Sequence, residues 1–154
     1  METLAPALPS THVTIRLCTR LPVEFVDLTD HLEAFVAVSG THLGLLNVQS
    51  LHTTTAIIVN EHEPLLLADF AGLLERTAPN DAPYRHDDAT ARTVNLTPEE
   101  RRNGHAHCQA LLLTASVCLN VVDGRLQLGR WQRVFLVELD GPRSREVSVV
   151  LLRA

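Results

Sequence analysis

The chain has no lysine, since all 13 of its basic residues are arginine. That absence excludes Schiff-base chemistry and a phosphate-binding loop built on lysine, and it leaves arginine as the only permanent cation for holding a phosphate or a carboxylate. A GC-biased genome would produce the same composition without any functional reason. Cysteine is scarce: Cys18, Cys108 and Cys118 are odd in number and far apart, with no CxxC pair. Neither a disulfide framework nor a zinc ribbon fits them, and reduced thiols are expected. No apolar run is long enough for a membrane span, and the first residues lack the basic stretch of an export signal. A cytoplasmic protein is therefore expected. Acids outnumber bases, 18 to 13, for a net charge of -5, which argues against a nucleic-acid reader of this size.

At 154 residues and 45% hydrophobic, the chain fits one domain with its own core. Residues 1–11 carry two prolines and little pattern and read as a loose arm; residues 12–154 read as the domain. His12 to Arg20 alternates as a half-buried strand does, with Val13, Ile15 and Leu17 on one face, and Val23 to Leu28 follows as the second arm of an opening hairpin. Asp30 with Glu33 has the spacing of a capping box, and Gly40 ends the short helix it would start. Leu43 to Leu51 and Thr55 to Asn60 read as strands interrupted at His52 to Thr54. Pro64 opens a helix reaching to about Arg76.

Ala78 to Thr97 reads as a long loop, and Thr97-Pro98-Glu99-Glu100 as a helix start that Asn103-Gly104 interrupts. Helix resumes over His107 to Leu113. Beyond Ser116 the pattern is sheet: Val117 to Val122, an Asp123-Gly124 turn, Arg125 to Leu128, Val134 to Leu139 and Val147 to Leu152. The class is α+β, a mainly antiparallel, sandwich-like single domain with two to three short helices.

Polar residues suited to chemistry recur inside these apolar segments. On one regular strand over 52–60, His52, Thr54 and Asn60 share a face and Thr53 and Glu61 take the other, with His52 and Asn60 about 26 Å apart. They cannot both reach one small site in a single chain. His105 and His107 are two residues apart, so a helix would point them about 200° apart, whereas an extended segment after the Gly104 break would aim both the same way. With His86, they offer imidazoles for zinc or a similar divalent ion. Solvated or core-satisfied side chains are the default for His12, His31, His42 and His62. Glu61 is a candidate base, while Asp69 fits an ordinary acid near a helix start. Glu138 and Asp140 share a face at a strand end and fit pairing with Arg143 or Arg145. Trp131 beside Gly129 fits a pocket wall or core packing, and Gly141-Pro142-Arg143 turns an arginine toward a possible anion.

Taken together, His52-Thr53-Thr54, Asn60-Glu61, Tyr84-x-His86-Asp87, Asn103-Gly104-His105-Ala106-His107, Leu128-Gly129-x-Trp131-Gln132 and Glu138-x-Asp140-Gly141-Pro142-Arg143 resemble the YjbQ family of secondary thiamine-phosphate synthase-like proteins, from about Thr14 to Leu152. The resemblance implies a homotrimer with a site near the subunit boundary and weak joining of a pyrimidine pyrophosphate to a thiazole phosphate. Carried onto this chain, it names His86, His105 and His107 as ligands of a divalent metal such as zinc. Glu61, Arg143 and His52 would be catalytic, and Thr53, Thr54, Asn60, Trp131 and Glu138 would contact a phosphorylated small molecule. The alternatives are a trimeric metal- or small-ligand-binding protein without turnover, and a structural trimer. The chain departs from the family pattern at Glu63, where an aspartate often precedes the proline, and in the longer stretch between Asp88 and Asn103.

Overall fold

Strand alternation divides the apolar residues between two sheets, and the helices close over what the sheets leave open. The computed structural model describes residues 10–97, 99 and 101–154. In chain order the elements are β1 (Ser10–Cys18), β2 (Glu24–Asp27), α1 (Thr29–Ser39), β3 (Leu43–Ser50), β4 (Thr55–Glu61), α2 (Pro64–Thr77), a 3-10 turn (Arg85–Asp87), α3 (Gly104–Leu111), β5 (Ser116–Val122), β6 (Arg125–Leu126), β7 (Gln132–Glu138) and β8 (Ser144–Arg153). One sheet runs β1-β8-β3-β5-β6 and the other β2-β7-β4, with every pairing antiparallel. The α+β class is as expected, and none of the described helices is long and apolar enough to cross a membrane.

The main core lies between the sheets. Leu46, Val48, Val147, Val149 and Leu151 come from the larger sheet and Ile57, Val134 and Leu136 from the smaller, with Leu32 and Val36 of α1 closing one end. The other face of the smaller sheet turns Ala56 and Val137 toward Leu74 of α2 and Ala106 of α3. The strand β7 is thus covered on both sides, which is why Val134-Phe135-Leu136-Val137 is an unbroken apolar run.

Two local expectations fail for identifiable reasons. The segment after β1 does not fold back as a hairpin; β2 pairs with β7, and Phe25 packs against Phe70 and Phe135. Thr19 N–H donates to Arg143 O at 2.9 Å and Gly141 N–H to Pro22 O at 3.0 Å, steering the chain across to the smaller sheet. The Asp30–Glu33 capping box does not form either. Asp27 accepts from Thr29 N–H at 2.9 Å, and Asp30 is engaged by Arg133 at 2.7 Å. Gly40 does end α1, in the left-handed region at φ 66°. Glu63 caps α2, accepting from Leu65 and Leu66 N–H at 3.0 and 2.8 Å, so this residue starts the helix as an aspartate would. The helix start expected at Thr97–Glu100 rests on Pro98 and Glu100, which lie outside the described residues.

Candidate functional site

The turn from β7 into β8 forms the floor of the site. Glu138 ends β7 wholly buried, and it accepts from Arg145 Nε at 2.6 Å and Nη2 at 2.5 Å, from Thr19 Oγ1 at 2.9 Å, and from the N–H groups of Leu139 and Asp140 at 3.0 and 2.8 Å. Burial alone would push this carboxyl up, but the Arg145 guanidinium and the remaining donors outweigh it and hold it below the ordinary glutamate value. Arg145 Nη2 also donates to Thr54 Oγ1 at 3.0 Å, fastening the turn before β4 to the same floor. Two residues on, Asp140 is bound by Arg143 at 2.7 Å and by Asn103 Nδ2 at 3.0 Å. The chain passes so close at Gly141 that a Cβ there would collide with Leu21 O.

A second wall comes from α3 and the 3-10 turn. Asp87 Oδ1 accepts from the N–H groups of Asn103 and Gly104 at 3.0 and 2.9 Å, so it serves as a remote cap for α3. The same turn sets the ring of His86 4.6 Å from that of His107, edge to face. His86 Nε2 is buried and has no hydrogen-bond partner. The loop between supplies the rim. Arg92 donates to Val94 O and Asn95 O at 3.2 and 2.6 Å, and Arg101 reaches Asp140 O and Pro142 O, both at 3.4 Å.

These pieces surround a cavity of about 460 Å³, lined by Leu51, His52, Thr53 and Thr54, by His86 and His107, by Arg92, Asn95, Thr97, Glu99, Arg101 and Asn103, and by Asp140, Arg143 and Arg145. Four guanidinium groups therefore meet one opening. Asp140 offsets Arg143 and Glu138 offsets Arg145, while Glu99 is the remaining carboxylate in the lining. Such a surplus of positive groups suits an anionic ligand.

The candidate residues named from sequence separate into two groups. His52, Thr53, Thr54, His86, His107 and Arg143 line the cavity, and Glu138 lies buried beneath it. His52 and Thr53 belong to the turn before β4 rather than to the strand. Asn60 and Glu61 sit at the far end of β4, opposite Arg133 and Gln132, so Asn60 is roughly 20 Å along the strand from Thr54. Trp131 is exposed next to that far end, with Arg130 stacked 4.5 Å over its ring. The segment after Gly104 is helical, not extended, and consecutive turns divide the two histidines. His107 meets His86, while His105 faces Tyr84, with ring centres 6.5 Å apart.

The metal expected at His86, His105 and His107 is consequently not matched by a three-ligand cluster. Among the described residues, no three His, Cys, Asp or Glu side chains are grouped to hold an ion. The unpartnered His86 Nε2 beside His107 gives two imidazoles, short of the three or four protein ligands of a resident zinc. The sequence reading passed over Arg92, Asn95, Thr97, Glu99 and Arg101. Their only signal was two arginines within a long polar loop.

The comparisons with known proteins agree with the fold. The family model described as UPF0047 protein YjbQ-like matches residues 13–154. A UPF0047 protein of Methanothermobacter thermautotrophicus is 39% identical over 86% of this chain and 85% of its own length. A UPF0047 protein of Archaeoglobus fulgidus is 38% identical over 90% of this chain and 98% of its own. The crystal structure of a YbjQ-like protein from Sulfolobus solfataricus superposes with a TM-score of 0.84 at 32% identity, covering 96% of this chain and 99% of that one. With the match running through both sheets and all the walls of the cavity, the chain belongs to the UPF0047 YjbQ-like family.

Proposed function

We propose that this protein acts on a phosphorylated small molecule bound in the cavity between the β7–β8 turn and α3. The observation that carries this reading is the convergence of four arginines with the His86–His107 ring pair on one opening of about 460 Å³, a size suited to a small ligand. Arginine stabilises phosphate oxygens and a departing anionic group, and an imidazole exchanges a proton near neutral pH. In a condensation of the thiamine-phosphate synthase type, the guanidinium groups would hold the departing pyrophosphate while His86 or His107 moves the proton. The divalent ion suggested by the family resemblance has only these two imidazoles to support it, so the chemistry is assigned to the protein's own groups.

Glu61 does not reach this cavity within one chain, so it has no step in the reaction proposed. A homotrimer belongs to the same reading; exposed Leu43, Leu45 and Leu152 on β3 and β8 are apolar surface that a second copy could cover. The test is turnover of a pyrimidine pyrophosphate with a thiazole phosphate, measured beside light scattering for wild type, His86→Ala and His107→Ala. Loss of product in variants that keep the wild-type assembly supports the enzyme. Ligand affinity with no product above background would favour a binding protein, and dissociation of the variants would favour a structural trimer.

A further inference from the structure

We infer that His52 and Arg145 form an oxyanion subsite at the cavity floor, in which His52 acts as a neutral, fixed N–H donor through Nδ1 and Arg145 donates through Nη1. The inference rests on the phosphate reading above and assigns the phosphate a seat that Arg143, engaged with Asp140, does not supply.

The tautomer follows from the sheet. Ser50 is the last residue of β3 in register with β8, opposite Val147. One step further, Leu51 N–H donates to Glu146 O at 3.3 Å, and the chain then turns away. Glu146 N–H would lose its ladder partner there, and His52 Nε2 takes the place of a backbone carbonyl, accepting it at 2.8 Å. A ring nitrogen that accepts from a backbone N–H carries no proton, so the neutral ring has its hydrogen on Nδ1. Burial, then the nearby charge of Arg145, lowers the pKa of the ring and keeps it in that neutral form. Nδ1 makes no hydrogen bond to the described residues and is not among the enclosed unpartnered atoms, so it opens on the cavity that His52 lines.

Arg145 shows the same economy. It is 5% exposed, and its Nε and Nη2 are committed to Glu138 and Thr54. That side-on grip leaves Nη1 without a protein partner, yet it too is absent from the enclosed atoms, on a residue that lines the cavity. A buried, carboxylate-fixed guanidinium has lost its freedom before any ligand arrives, which favours binding through the remaining edge. The two donors approach from adjacent strand ends, tied together through Thr54 and Glu146.

The test has a part that needs no ligand. Long-range proton–nitrogen NMR of the labelled protein should show His52 protonated on Nδ1 and unchanged from about pH 6 to 8. A ring protonated on Nε2 overturns the inference, whatever the cavity binds. Inorganic phosphate is then titrated by calorimetry. His52→Gln keeps an acceptor where Nε2 stood and removes the donor, and it should weaken phosphate roughly tenfold with an unchanged melting temperature. His52→Asn, which keeps a donor near Nδ1, should recover most of that loss. Arg145→Lys should weaken phosphate by a similar factor. If phosphate binds and these variants bind it as wild type does, while Arg92→Ala and Arg101→Ala do not, the subsite is wrong and the phosphate reading stands. If acetate binds as tightly as phosphate, the assignment of the subsite to phosphate is overturned.

Discussion

Arg145 grips Glu138 side-on, with Nε to Oε2 at 2.6 Å and Nη2 to Oε1 at 2.5 Å, and neither side chain is more than 5% exposed. A buried pair of this kind contributes little net stability against an apolar replacement, because desolvation offsets the attraction. Removing one partner is different, since it strands the other charge. Glu138→Ala should therefore cost about 3–5 kcal/mol in urea unfolding, whereas the double change Glu138→Leu with Arg145→Met should recover much of it. If the single variant unfolds within about 1 kcal/mol of wild type, the pair is not the anchor described.

A second ion cluster lies at the opposite end of the smaller sheet, where Asp27 is held by Arg133 at 2.8 Å and by His62 at 2.9 Å. Burial pushes the Asp27 carboxyl up, but Arg133, Thr29 and His62 overcome it and bring it from 3.8 to about 2. A depressed folded-state pKa means that the unfolded chain takes up the proton first, so this stability is complete above pH 3.8 and is lost as the pH falls toward about 2. The melting temperature of wild type should decline over that window more steeply than that of Asp27→Asn. Parallel curves for the two proteins would show that Asp27 does not carry the effect.

The site residues differ in how far their sequence context reveals them. Alternation was enough to place Val13, Ile15 and Leu17 on one face, and Asp123-Gly124 between β5 and β6 has the two positive φ angles of a hairpin turn, 52° and 76°. The strand spacing that separates His52 from Asn60 could likewise be computed before any fold was known. What could not be read were pairings over long sequence distances. Asp87 caps α3 from 17 residues away, and so the segment after Gly104 becomes helix where a glycine break suggested extended chain. Arg145 joins Glu138 to Thr54, 91 residues apart, and a lone arginine after a turn gives no sign of that. Nor does any local pattern reveal that His52 completes a sheet ladder.

Distance along β4 yields a negative control. Asn60, Glu61 and Trp131 stand at the end of the smaller sheet remote from the cavity. Glu61→Ala and Trp131→Ala should leave phosphate affinity within about twofold of wild type in the isolated chain, as expected for positions well beyond 10 Å from the ligand. A larger loss on dilution-resistant assemblies would instead show that these residues reach the cavity of a neighbouring copy.

Purified protein also allows the imidazole pair to be examined directly. Two ligands from His86 and His107 hold a divalent ion far more weakly than three or four would, so elemental mass spectrometry should find well below one transition-metal ion per chain after dialysis without chelator. About one ion per chain, lost in His107→Ala without loss of assembly, would mean that a further ligand joins the pair, and the metal-assisted reading would then displace the one proposed.

Gly104 sets two effects of opposite sign against each other. As a residue of α3 it would ordinarily gain up to about 1 kcal/mol on replacement by alanine, because glycine is a poor helix former. Its Cβ position, however, is already filled by Tyr84, whose Cβ and ring would collide with any added carbon, and Asp87 Oδ1 stands 3.3 Å away. Overpacking of this sort typically costs about 1–3 kcal/mol, so the net effect of Gly104→Ala should be destabilising. Because Tyr84 precedes the turn that carries His86 and Asp87, relief of the clash must also move His86 relative to His107. Urea unfolding checks the first consequence and phosphate titration the second: Gly104→Ala should be both less stable and weaker in binding, and a variant more stable than wild type would show that the loop gives way freely.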